Sequence, residues 1–230
     1  MSSRKLIARL VVQTGAWLGF MGLLLFVAAG DWRWTQAWAF LAIFALGSVA
    51  FSVWLLPRDP ALLEARLGPF VQRGQPWWDR IFLPTFIAIW CGWLVLMALD
   101  ARRWHSSDVP PLLNVLGGAL VIAGFLATLR VLRENRFAAP VVRVQTERGQ
   151  RVIDTGPYAV VRHPMYASAV LYLVGMPLLL GSWYGLWIVP LLVAGMAPRA
   201  VFEERLLERE LPGYAEYMTR VRYRLVPGVW

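Results

Sequence analysis

Hydrophobic residues along this chain fall into long uncharged runs, and the polar residues crowd into the segments between them. A helix needs about 20 mostly apolar residues to cross ~30 Å of hydrocarbon. Six stretches are candidate spans: 8–29, 35–56, 81–99, 112–130, 165–181 and 183–198. None contains Asp, Glu or Lys, and Arg9 and Arg130 fall only at the edges. The last two are short and meet at Gly181-Ser182, which reads as a tight helical hairpin, either crossing or re-entering. The run from Leu10 to Ala29 follows Arg4, Lys5 and Arg9. It is longer than the apolar part of a signal peptide and more spans follow, so it is expected to stay as an uncleaved first span. The predicted fold class is all-α, a polytopic membrane helical bundle with a polar C-terminal region on the cytoplasmic face.

Placing the connections on alternating sides sorts the charge. Twenty basic residues go to the side of the two termini, and only Arg33, Arg102 and Arg103 to the other. By the positive-inside rule both termini are cytoplasmic. Seven of the tryptophans, Trp32, Trp34, Trp38, Trp77, Trp78, Trp104 and Trp183, lie at or near proposed span ends, where amphipathic rings settle. Composition agrees with a bilayer environment: the 230 residues are 58% hydrophobic and only 16% charged, with a mean hydropathy of +0.53. The formal net charge of +9 leaves nucleic acid or anionic lipid as partners. Arginine clusters beside hydrophobic runs select membrane lipids and exclude nucleic acid. Arg-rich, Lys-poor usage suggests a high-GC bacterium, hence its inner membrane. Cys91 stands alone in an apolar run, which excludes a disulfide framework or a cysteine metal cluster.

The spans hold almost no ionisable groups, which argues against an ion-coupled transporter. Chemistry is concentrated instead in 130–166 and from Arg199 onward. The first segment carries Gly156-Pro157-Tyr158, then four residues, then His163-Pro164-Met165-Tyr166. Gly-Pro marks a turn. Pro164 favours an extended His163 and suits the first turn of the next helix, so His163 sits at the mouth of a span. Read alone, it is more simply a cap or interfacial residue. In the second segment Arg199 and Glu203 are four apart and share a helix face. Pro198 is expected to end or bend the last span. Read alone, the pair is an intrahelical ion pair on a solvated helix, with Glu204 and Glu208 also solvated.

Together these motifs, followed by Gly213-Tyr214 and Tyr217, resemble the isoprenylcysteine carboxyl methyltransferase family in its bacterial form. The related phospholipid N-methyltransferases and membrane thiol methyltransferases share this core pattern. The resemblance covers 112–230 and divides the chain into N-terminal spans, 1–111, and a methyltransferase core, 112–230. It implies a membrane methyltransferase using S-adenosyl-L-methionine, bound without a Rossmann domain, and no G-x-G-x-x-G follows a predicted strand here. It assigns cofactor binding to Gln150, Arg151, Val152, Ile153, Tyr158, His163, Pro164, Met165, Tyr166 and Glu203. Arg143 is added by position, where the family often has an amide. Glu203 would face the cofactor's ammonium group, and Arg199 would lie on the substrate side as the catalytic residue. The implied partner is a lipophilic or lipid-modified acceptor, most simply an isoprenylcysteine-like carboxylate.

The residue types suit that chemistry. The cofactor's amino-acid end is zwitterionic and asks for a cationic or donor group beside a carboxylate. Methyl transfer displaces a neutral thioether, so it needs no general acid; the work is positioning and desolvation. A carboxylate acceptor can be held by Arg199, whereas an amine or thiol needs a base that the sequence does not name. Two other readings stay open. A membrane sterol reductase using NADPH shares a His-Pro-x-Tyr-like run and an aromatic, basic C-terminus such as Tyr223–Trp230. A transport or scaffold protein with a basic face needs no chemistry at all.

Overall fold

In hydrocarbon a run of chain must satisfy every backbone N–H and C=O internally, which the helix does. Each predicted run is helical in the computed structural model, which describes residues 3–230 (for Ser3, the backbone only). The elements are α1 (Ser3–Ala29), α2 (Thr35–Arg58), α3 (Pro60–Arg66), α4 (Trp77–Ala98), α5 (Pro111–Glu134), α6 (Pro164–Leu180), α7 (Trp183–Glu210) and α8 (Tyr214–Arg220). No strand occurs among the described residues.

The expected six spans are modified at the hairpin. Five helices are long and apolar enough to cross a membrane: α1, α2, α4, α5 and α7. The sixth, α6, has only 17 residues, about 25 Å at 1.5 Å per residue. It begins at Pro164 and stops at Gly181, whose φ of 81° is left-handed. There Gly181 and Ser182 donate back to the carbonyls of Leu178 and Pro177, closing the turn. Helix α7 departs the other way. Pro190 and Pro198 are accommodated within it, and the helix continues to Glu210 rather than ending near 198.

The core joins all the long helices and is centred on Met21, Phe40, Leu94, Met97, Val121 and Met176, none more than 1% exposed. Trp34, expected in the interfacial belt, is instead buried there; Trp32, Trp38, Trp77 and Trp104 remain exposed. The closest helix contact is α5 on α6. A Cβ on Gly117 would lie 2.3 Å from the Leu179 nitrogen, and one on Gly175 would lie 2.7 Å from the Gly117 carbonyl oxygen. Only hydrogen fits at both positions, and small residues at such crossings let backbones approach.

The two ends of the bundle are built differently. At one, the fully buried Asp100 lies where α4 widens into a π-turn over Leu99–Arg103. Its Oδ2 accepts from Ser107 Oγ (2.7 Å), Ser182 Oγ (2.5 Å) and the Tyr184 N–H (3.3 Å), tying down the start of α7. The opposite end gathers α3, the segment 135–163, the end of α7, α8 and the C-terminal tail.

Candidate active site

The segment after α5 reverses beneath the bundle end. Asn135 caps the turn by accepting the Phe137 N–H (2.8 Å), and its Nδ2 donates to Tyr158 Oη (2.8 Å). Gln145 then donates to the Phe137 carbonyl (2.7 Å), and its backbone N–H reaches Gln150 Oε1 (2.6 Å). The Gly156-Pro157-Tyr158 turn is a short 3₁₀ turn, and the Tyr158 carbonyl accepts from Tyr217 Oη of α8 (2.8 Å). Desolvation raises the Tyr158 hydroxyl well above its ordinary range, so it stays protonated near neutral pH. Finally Arg162 and His163 donate their backbone N–H groups to the carbonyls of Tyr223 and Arg224, at 2.9 and 2.8 Å. The tail thereby pins the start of α6.

These segments enclose a cavity of about 200 Å³. Eleven of the twelve residues anticipated from the sequence line it: Arg143, Gln150, Arg151, Val152, Ile153, Tyr158, His163, Met165, Tyr166, Arg199 and Glu203. Pro164 does not; it is buried at the first turn of α6, where it sets the direction of the helix. The adjacent glutamates of α7 have separate fates, because neighbouring helical positions point about 100° apart. Glu203 faces the cavity and accepts a hydrogen bond from Tyr166 Oη (2.6 Å). Glu204, expected to be solvated, is buried. It holds Arg162 Nε (2.7 Å), His163 Nε2 (3.1 Å) and Arg224 Nε (2.9 Å), three cationic or donor groups on one carboxylate. Glu208 is exposed as anticipated.

This changes the part open to His163. Its Nε2 is engaged by Glu204, and its Nδ1 stands 4.0 Å from Glu203 Oε2. Its ring stacks on Tyr166, with centroids 5.2 Å apart. It therefore joins the two glutamates rather than standing as a free cation. Arg199 is likewise more committed than its i,i+4 spacing suggested. Rather than pairing directly with Glu203, it donates from Nε to Asp79 Oδ1 (2.9 Å), from Nη1 to Tyr166 Oη (2.9 Å) and from Nη2 to the Pro140 carbonyl (2.7 Å).

Several contributors escaped sequence reasoning. Asp79, at the start of α4, is fully buried; its Oδ2 accepts from Gln75 Nε2 (2.7 Å) and from the Val142 N–H (2.9 Å). Arg66 of α3 lines the cavity, as do Phe137–Val142, Leu207, Leu211, Tyr214 and Tyr217. The one hint in the sequence was that Asp79 is an acidic residue just before an otherwise uncharged span.

The donor set suits a zwitterionic ligand with an aromatic portion. Glu203 is the carboxylate that lines the cavity, among five arginines, and Arg143 Nε is buried without a hydrogen-bond partner. Val152, Ile153, Leu207, Leu211, Tyr214 and Tyr217 give an apolar and aromatic wall. Among the described residues no cluster of three or more His, Cys, Asp or Glu could hold a metal ion.

Comparison with known proteins bears on the same region. Residues 112–212 match the family described as phospholipid methyltransferase. The match falls on the stretch that carries the Gly-Pro-Tyr, His-Pro-Met-Tyr and paired-glutamate motifs. The matched family is one of methyltransferases, and five helices of this chain are long and apolar enough to cross a membrane. The chain is also similar to the cobalt-zinc-cadmium resistance protein CzcN of Cupriavidus metallidurans, with 28% identity over 165 residues, 71% of this chain and 69% of that protein.

Proposed function

We propose that the protein is an S-adenosyl-L-methionine-dependent methyltransferase that acts on a lipophilic acceptor drawn from the membrane, most simply a carboxylate of isoprenylcysteine-like form. The observation that carries this reading is the position of Glu203. It lines an arginine-rich cavity assembled from the segments that bear the family's motifs. Glu203 would take the cofactor's ammonium group, with Arg143 and Arg151 near enough in the same lining to meet its carboxylate. Val152, Ile153, Tyr158, Leu211 and Tyr214 would cover the adenosine.

When bound, the cofactor supplies an electrophilic methyl on a sulfonium, which leaves as a neutral thioether. With a carboxylate as acceptor, methyl transfer would give an ester and the thioether with no proton to move. This matches a cavity whose titratable groups are tied up. Tyr158 is held protonated, His163 is joined to Glu204, and Arg199 is anchored on Asp79. Arg199, with Tyr166, holds the floor of the cavity rigid and positively charged, so that an anionic acceptor is oriented before reaction.

Calorimetry of the detergent-purified protein tests the reading. Saturable binding of S-adenosylhomocysteine is expected, lost in Glu203→Gln and weakened in His163→Ala. Binding of NADPH in its place would move the protein to the reductase class. Binding of neither would refute a nucleotide-cofactor enzyme.

A further inference from the structure

The cavity has two unlike walls. One is the aromatic group around Leu211, Tyr214, Tyr217 and Val221, with Val152 and Leu207 packed on it. The other adjoins an aliphatic cluster of Leu6, Leu55, Leu62, Leu63 and Leu132, against which Ala138 and Met165 pack. Arg66 ends α3 on this aliphatic side. It lies outside the family match, in the N-terminal part of the chain.

Its electrostatic position differs from that of three of the other four arginines in the lining; the fourth, Arg151, is exposed to solvent. Arg162 is paired with Glu204, Arg199 with Asp79 and Arg143 with Glu147. Arg66 has no carboxylate partner among the described residues. It donates from Nη1 to the Ala138 carbonyl (2.9 Å), and it lines the cavity. Burial holds its guanidinium below the ordinary arginine range, and Tyr172 is the group that opposes this. Tyr172 lies six residues beyond Tyr166 along α6, about 9 Å further into the apolar layer at 1.5 Å per residue. A half-buried guanidinium without a counter-charge can receive an anion, and its planar fork matches carboxylate or phosphate oxygens.

We propose that Arg66 is the specificity-determining residue for the acceptor: it receives the oxyanion at the head of an amphiphile whose tail passes Ala138 and Met165, the cavity-lining residues that pack on the aliphatic cluster. This rests on the methyltransferase reading for the name "acceptor", and the test separates the two. The oxyanion is either a carboxylate or a phosphate.

The full chain, purified in an uncharged detergent, is titrated with radiolabelled palmitate, lysophosphatidate and methyl palmitate, and in parallel with S-adenosylhomocysteine. One of the two acids is expected to bind about tenfold or more tighter than the ester, the scale of a charge-assisted pair; which acid does so identifies the head group. Arg66→Gln should abolish that preference and leave S-adenosylhomocysteine binding intact, while Arg66→Lys, which keeps charge and stem, retains it in part. Thermal unfolding establishes that each variant is folded. Three results overturn the proposal: no preference in the natural protein, an undiminished preference in a folded Gln variant, or loss of S-adenosylhomocysteine binding in a folded Gln variant, which would assign Arg66 to the cofactor's carboxylate. An Arg66-dependent preference in a protein that never binds S-adenosylhomocysteine would keep the anion site and remove the methyltransferase.

Discussion

Asp79→Asn changes one atom in a fully buried carboxylate, and the structure lets the cost be worked out. Three donors converge on Asp79: Arg199 Nε on Oδ1, and Gln75 Nε2 and the Val142 N–H on Oδ2. An asparagine has one oxygen. If it faces Gln75 and Val142, its amide N–H₂ abuts the Arg199 guanidinium; if it faces Arg199, it abuts the Val142 N–H, which cannot turn away. Leaving one partner of a buried pair uncompensated costs roughly 3–5 kcal/mol. A stranded buried N–H costs about 1–3 kcal/mol. Arg199 keeps its bonds to Pro140 and Tyr166, so we expect the lower end, about 3 kcal/mol. Denaturant unfolding in detergent measures it, with S-adenosylhomocysteine calorimetry alongside, since Val142 belongs to the cavity lining. A double variant, Asp79→Leu with Arg199→Met, removes both charges and should be more stable than the sum of the single losses. An Asn variant within about 0.5 kcal/mol of the natural protein, or a double variant no better than additive, would show that the pair does not hold this end of the bundle together.

Asp100 provides the contrast. Its Oδ1 has no partner, so in Asp100→Asn the new amide can occupy that side while the oxygen keeps Ser107, Ser182 and Tyr184. A loss of only about 1 kcal/mol or less is expected, the scale of a charge at a helix start, checked by the same unfolding assay. Glu204→Gln leaves Arg162 and Arg224 without their shared charge. It should destabilise by roughly 3 kcal/mol or more and expose the segment after Val221 to limited proteolysis. Gly117→Ala forces α5 and α6 apart and should cost several kcal/mol. Gly195→Ala, where a Cβ meets nothing within 4 Å, should be neutral or stabilising by up to ~1 kcal/mol; equal midpoints for the two alanine variants would refute the close approach.

What was legible in the sequence follows from the range of the forces involved. The spans could be read because a bilayer imposes one local rule, an uncharged run of sufficient length, wherever the run occurs. The end of α7 could not: Pro198 is a local stop signal, yet the helix continues with Ala200 and Leu206 buried and Glu204 anchored. The shared orientation of Arg199 and Glu203 was implicit in helical spacing, but their direct pairing was not realised, because Asp79 and Tyr166 compete for the guanidinium. Which of two adjacent glutamates faces the cavity was given by family resemblance. The burial of the other depends on Arg162 and Arg224, which no local pattern connects to it. Arg66 and Asp79 could not be placed at the site for the same reason: Asp79 meets Arg199 across 120 residues.

The backbone bonds from Arg162 and His163 to Tyr223 and Arg224 also constrain how the molecule is made. The helices can enter the membrane one after another as they are synthesised, each satisfied within itself. His163 cannot be held until some sixty further residues, including the whole of α7 and α8, have been added and have folded back. A released chain truncated before Tyr223 would hold every long helix yet lack the two bonds that pin His163 beneath the bundle. Membrane insertion and completion of the site are separate events in the life of this chain, and a quality-control system that sampled only the first would pass molecules lacking the second.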